Sequence, residues 1–270
     1  MSPDAEADGE APLPPGFVRG PSALPLSSGP VTCGRFRVEH VFDDPKRFEP
    51  RVVVRDEQGR PVYEARGRRY RLGGPGEPEV RMALVVDSCG DLTGDGVPEI
   101  VMTESTIGAH CCYTHYVVSL TSTPRRLLMW EKGDGGFGLR PERLKPGPAV
   151  QLVSTHLVYP PFDVDAGDPA LTYAGIPGYP IVFDLVDGAY APRTFLFRDA
   201  LRARRQEHDE ICARRSQGCE DDELFDWGWA LIIGDWDARK ATLVKDDWLR
   251  GVLDRRAPAM KARLRGQLGP

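Results

Sequence analysis

Nine residues, Asp91-Leu92-Thr93-Gly94-Asp95-Gly96-Val97-Pro98-Glu99, constrain this chain more than any other stretch. Oxygen-bearing side chains stand at the first, third, fifth and ninth positions, and a glycine at the sixth lets the backbone turn sharply. Such spacing gathers oxygens on one side of a tight turn, and calcium takes about six to eight oxygen ligands. Asp91, Thr93, Asp95 and Glu99 offer side-chain oxygens, and Val97 offers a main-chain carbonyl. The residues that follow, Ile100-Val101-Met102, read as a strand. The other reading of the same run is an Asx-rich turn that holds no ion.

An EF-hand would close this loop with a bidentate Glu at position twelve and leave it through a helix. Position twelve here is Met102, and Pro98, Ile100 and Val101 oppose a helix. A calcium-type loop that runs straight into a strand resembles the FG-GAP and VCBS repeats, the units of integrin-like β-propellers. The likeness covers about a dozen residues at its core and, more loosely, Glu99 to Leu120, and it gives a single well-formed copy. Thr93 stands where those repeats usually carry Asp or Asn, and Glu99 where they carry Asp. The resemblance implies a structural Ca2+, and with three formal carboxylates the loop is expected to bind it with extracellular-grade affinity, roughly 10⁻⁴ to 10⁻³ M. It also implies blade-like β units and the binding of another protein or a cell-surface macromolecule.

Composition narrows the class. A chain of 270 residues can bury a sizeable core. A net charge of −5 gives no global footprint for nucleic acid. No apolar run reaches the roughly 18 residues that span a membrane. The first residues lack the basic start and apolar core of a signal peptide and read as the beginning of a mature chain. Six cysteines, an even number, favour an oxidising compartment. Cys33, Cys89, Cys111, Cys112, Cys212 and Cys219 are therefore disulfide candidates, and the one pairing that spacing suggests is Cys212 with Cys219. Adjacent Cys111 and Cys112 would face opposite sides of a strand and take different partners.

The chain divides into three parts. Residues 1–30, rich in Pro, Gly, Ser and acidic side chains, read as a disordered tether, such as would follow a signal or lipid-anchor site. Residues 31–196 read as short antiparallel strands with dense turn signals. Asp56-Glu-Gln-Gly-Arg makes one hairpin, and Asp187-Gly188 makes another. A degenerate repeat lays Gly94–Ser105 over Lys145–His156, and Tyr116–Leu120 over Ile181–Leu185. The second copy has lost its acidic ligands, so blade-like or sandwiched meanders are expected rather than a full-sized closed propeller. Residues 197–270 read as helices. Phe197, Leu201, Arg204, His208 and Ile211 share one face, Trp227 and Trp229 lie in a buried segment, and the last helix is expected to break near Pro258. The whole is α+β: mainly antiparallel β, with a helical C-terminal module.

Other chemistry is sparse. His110-Cys111-Cys112-Tyr113-Thr114-His115 could hold a soft metal, though no CxxC or HExxH pattern accompanies it. Asp163, Asp165 and Asp168 could serve a second cation or hydrolysis, or form a plain acidic loop. No nucleophile elbow, phosphate loop or dinucleotide fingerprint is present. The expectation is a secreted, periplasmic or surface-tethered binding protein of bacterial type, stabilised by calcium and disulfides. The alternatives are a hydrolase working between the modules and a cytosolic thiol or zinc protein.

Overall fold

A computed structural model describes residues 13–19, 30–42, 50–71, 79–105, 113–133, 138–171, 176–214 and 223–270. Strand β1 (Val18–Arg19) comes first. A meander follows, of β2 (Val31–Cys33), β3 (Phe36–Phe42), β4 (Pro50–Arg55) and β5 (Pro61–Arg66). After a ribbon of β6 (Arg69–Arg71) and β7 (Glu79–Arg81) comes a second meander. It comprises β8 (Ala83–Gly90), β9 (Glu99–Ser105), β10 (Tyr113–Ser119) and β11 (Arg125–Gly133). The third is β12 (Arg140–Glu142), β13 (Gln151–Leu157), β14 (Gly178–Val186) and β15 (Ala189–Pro192). Within each meander every strand pairs antiparallel with the next, so the three units are alike in topology.

Residue patterns explain the layering. In the first meander Phe36, Val38, Val52 and Val54 fall on one face and are buried, while Arg37, Glu39, Arg51 and Arg55 fall on the other. The second meander is covered on both sides. Ile100, Met102 and Val118 enter a core shared with the first meander. Val101 and Val117 enter a larger core built with the third meander and the helices. A strand buried on both faces needs no polar alternation, which accounts for the unbroken apolar run after Glu99.

Two features depart from expectation. Residues 13–19 belong by composition to the tether, yet β1 pairs Val18 with Cys89 and Arg19 with Ser88 on the edge of β8. Phe17 packs against the larger core beside it. An apolar ring next to a free sheet edge gives even a two-residue strand an anchor.

The helices are α1 (Arg198–Arg214), α2 (Glu223–Ile233), α3 (Trp236–Leu243) and α4 (Asp247–Leu268). Helix α4 runs on through Pro258, where a break was expected. Proline removes one backbone hydrogen bond, but Pro258 lies on the exposed side, where water can take the freed carbonyl. Trp227 is fully buried and stacks on Phe162 with centroids 6.0 Å apart. The Tyr179 hydroxyl donates to the Leu224 carbonyl at 2.8 Å and ties α2 to β14. The tryptophans of α2 thus serve the core. No helix among the described residues is long and apolar enough to cross a membrane.

Candidate cation loop

The run from Asp91 to Glu99 joins β8 to β9. Asp91 organises it. One carboxylate oxygen accepts the amides of Gly94 at 2.7 Å and Asp95 at 3.2 Å, and the other accepts the Gly96 amide at 2.9 Å. Asp95 accepts the Val97 amide at 2.8 Å. Gly94 has a positive φ of 79°, and a Cβ there would come within 2.3 Å of the Pro148 ring, so this position needs glycine for two reasons.

Glu99 is the first residue of β9, and it is fully buried. Its Oε2 accepts the amides of Leu92 at 2.7 Å and Thr93 at 3.3 Å. Its Oε1 is buried without a hydrogen-bond partner, and so is the hydroxyl of Thr93. Burial pushes the Glu99 carboxyl up to about 7; the Ser119 hydroxyl and the Leu92 and Thr93 amides oppose that shift, and the Asp95 charge adds to it. No basic side chain pairs with Asp91, Asp95 or Glu99 among the described residues. The loop carries three carboxylates along its sequence, one of them buried, with no basic partner among the described residues.

A hard cation is bound by oxygens. All the candidate ligands are oxygens, and two of those oxygens are buried and unpartnered. The carboxylates meanwhile serve the loop's own amides. Among the described residues no group of three or more His, Cys, Asp or Glu side chains is drawn together as metal ligands would be. Asp91, Thr93, Asp95, Glu99 and the Val97 carbonyl would hold the ion, which would supply the missing positive charge.

The equivalent turn of the third meander, Arg143 to Gln151, lies against this loop. A shift of 52 residues carries Leu92 onto Leu144 and Glu99 onto Gln151. The match is physical: Gln151 Oε1 accepts the Leu144 amide at 3.0 Å, as Glu99 accepts that of Leu92. The repeat read from the sequence is one residue out of register here, since it sets Glu99 over Val150. Its second half agrees, because Ser119 and Asp184 lie beside Glu99 and Gln151 on the neighbouring strands. The two turns are joined directly. The Val150 amide donates to the Leu92 carbonyl at 2.8 Å. The buried Tyr190 hydroxyl sits 3.1 Å from the Leu92 carbonyl and 2.8 Å from that of Val150, sharing its proton. Burial first, then the charges of Glu99, Asp184 and Asp91, hold that proton on the tyrosine.

The remaining candidates separate. Cys33 and Cys89 form a disulfide between the first and second meanders, with Cα atoms 6.0 Å apart across 56 residues of sequence. His110, Cys111, Cys112, Cys219 and the Cys212 side chain lie outside the described residues, and with them the Cys212–Cys219 pairing. His115 is buried in β10. The Thr103 hydroxyl lies 2.6 Å from the Asp87 carboxylate and 2.8 Å from His115 Nδ1. A hydroxyl has one proton; given to Asp87, it leaves oxygen to accept from a protonated Nδ1. Stacked on Trp130 at 5.3 Å, the ring is held as part of the packing.

The acidic loop is structural too. Asp163 accepts the Asp165 amide at 3.2 Å, and Asp168 accepts the Asp163 amide at 3.0 Å. Asp168 also pairs with Arg256 of α4 at 2.6 Å. The Asp163 amide and then the Arg256 charge hold the Asp168 carboxyl below its usual range. Sequence reasoning missed Tyr190, Lys145, Gln151 and Asp184; the corrected register would have pointed to Lys145 and Gln151.

No family model matches the chain, and neither the curated proteins nor the solved structures yield a match.

Proposed function

We propose that this is an extracytoplasmic binding module of the FG-GAP-like type, braced by calcium at Asp91–Glu99 and by disulfide bonding. The observation that carries the reading is Glu99. A fully buried carboxylate with an unpartnered oxygen and no basic partner among the described residues favours uptake of a proton or a cation near neutral pH. Asp91 and Asp95 beside it make a divalent cation the better occupant. The ion does no chemistry in this account. It pins the turn on which the second and third meanders meet, so that a surface spanning them keeps its shape for another protein or a cell-surface macromolecule. The Cys33–Cys89 bridge supports an oxidising compartment.

Thermal unfolding tests this. With the affinity implied by the loop, 10 mM calcium is expected to raise the melting temperature by roughly 3–10 °C over protein in chelator. Asp95→Ala is expected to remove the increment. A parent protein that melts identically with and without calcium would refute the cation role.

A further inference from the structure

We propose that Lys145 is a tethered cation: its ammonium does in the turn 143–151 what a bound metal does in the turn 91–99. This rests on reading 91–99 as a cation loop. The same 52-residue shift that superposes Glu99 on Gln151 carries Thr93, the third loop position, onto Lys145. Each meander buries one carboxylate at this place. In the second meander it is Glu99, with Ser119 beside it; in the third it is Asp184, with Gln151 beside it. The carboxylate has moved to the neighbouring strand, but the count is unchanged.

The two differ in how the charge is met. Lys145 Nζ pairs with Asp184 Oδ2, Gln151 Nε2 donates to Asp184 Oδ1 at 3.1 Å, and the Lys145 ammonium lies 5.6 Å from the centroid of the Phe197 ring. No buried atom of Lys145, Gln151 or Asp184 is left unpartnered. At the equivalent place in the first turn, Thr93 Oγ1 and Glu99 Oε1 are. A lysine at the third position therefore satisfies a site that a threonine leaves open. By this account the turn 143–151 is a second cation site, permanently filled by its own side chain.

Two substitutions read this out in thermal unfolding. Lys145→Ala leaves Asp184 buried beside Gln151 without a cation. Its melting temperature is expected to fall in chelator and to recover in 10 mM calcium by clearly more than the parent gains. Adding Asp184→Asn to Lys145→Ala is expected to abolish the extra recovery. Thr93→Lys is expected to melt in chelator as the parent does in calcium, and to gain nothing further from the ion. If Lys145→Ala gains no more from calcium than the parent, Lys145 is an ordinary ion-pair partner and the inference is overturned. If the parent shows no calcium response while Lys145→Ala does, the reading of 91–99 fails and with it the comparison of the two turns, and Lys145 is left filling a cation site that 143–151 alone possesses.

Discussion

The turns 91–99 and 143–151 open equivalent strands, clamp themselves with the same backbone-to-side-chain hydrogen bond and touch through the Tyr190 hydroxyl. They differ in charge. Among the described residues the first carries Asp91, Asp95 and Glu99 without a basic partner, whereas the second carries Arg143 and Lys145 and answers its one buried carboxylate internally. The contrast separates what the architecture demands from what one turn has added. Both need an oxygen at the first residue of the second strand to hold the amide seven residues back. Only the first combines that need with unmet negative charge, and there a ligand from outside becomes useful.

The largest test concerns a brace that only the first turn has. Cys89 lies two residues before Asp91 and is bridged to Cys33, while the matching Pro141 has no such link. Replacing both cysteines by alanine is expected to cost about 4 kcal/mol of stability in urea, from the entropy of the loop they close. Reductant should bring the parent down to the same level. If the alanine variant unfolds at the parent's midpoint, the bridge is not a brace.

A second effect exchanges one turn's chemistry for the other's. The Glu99 carboxyl titrates at about 7 in the folded protein, against an ordinary value of 4.5. A raised folded value means that its contribution to stability is complete below 4.5 and is lost as pH rises through 7. Metal-free parent should therefore be less stable at pH 8 than at pH 5, by roughly 3 kcal/mol from this group. Glu99→Gln, which copies Gln151, should flatten that dependence and stabilise the chelator-treated protein at pH 8. An unchanged pH profile would show that Glu99 is not the group responsible.

Tyr190→Phe comes next. It strips the shared donor from two buried carbonyls and should cost about 2 kcal/mol, measured by chemical unfolding. It should also reduce the calcium increment, because the first turn loses its tie to the second. A neutral substitution would mean that the Val150 amide alone couples the turns. A comparable effect is expected of Arg256→Ala, which leaves the buried Asp168 carboxylate without its cationic partner and should cost about 2 kcal/mol. It should leave the calcium response intact; a changed response would extend the cation's influence well beyond the two turns.

How much of this was legible in the sequence depends on how local each cause is. The strands, the hairpins at Asp56 and Asp187, and the helices follow from alternation, turn residues and periodicity close along the chain, and these agree with the structure. The candidate ligands of 91–99 could be proposed from the sequence because spacing and glycine positions are local as well. The Cys33–Cys89 pairing was not, since nothing in the spacing of two cysteines 56 residues apart reports which layers face each other. The repeat was seen one residue out of register because apolar residues were aligned with one another. The conserved feature between the turns is an amide clamp, for which Glu99 and Gln151 are chemically equivalent and Val150 is not. Helix α4 was expected to break near Pro258 on backbone rules alone, and exposure of that face made the break unnecessary.

The most direct measurement follows backbone amide resonances in chelator-treated protein as calcium is added. The account predicts saturable shifts at Gly94 and Gly96, whose amides bond to Asp91, with a midpoint near roughly 10⁻⁴ to 10⁻³ M and no comparable change at Gly147. Equal, weak drifts at all three glycines, or none at any, would contradict it.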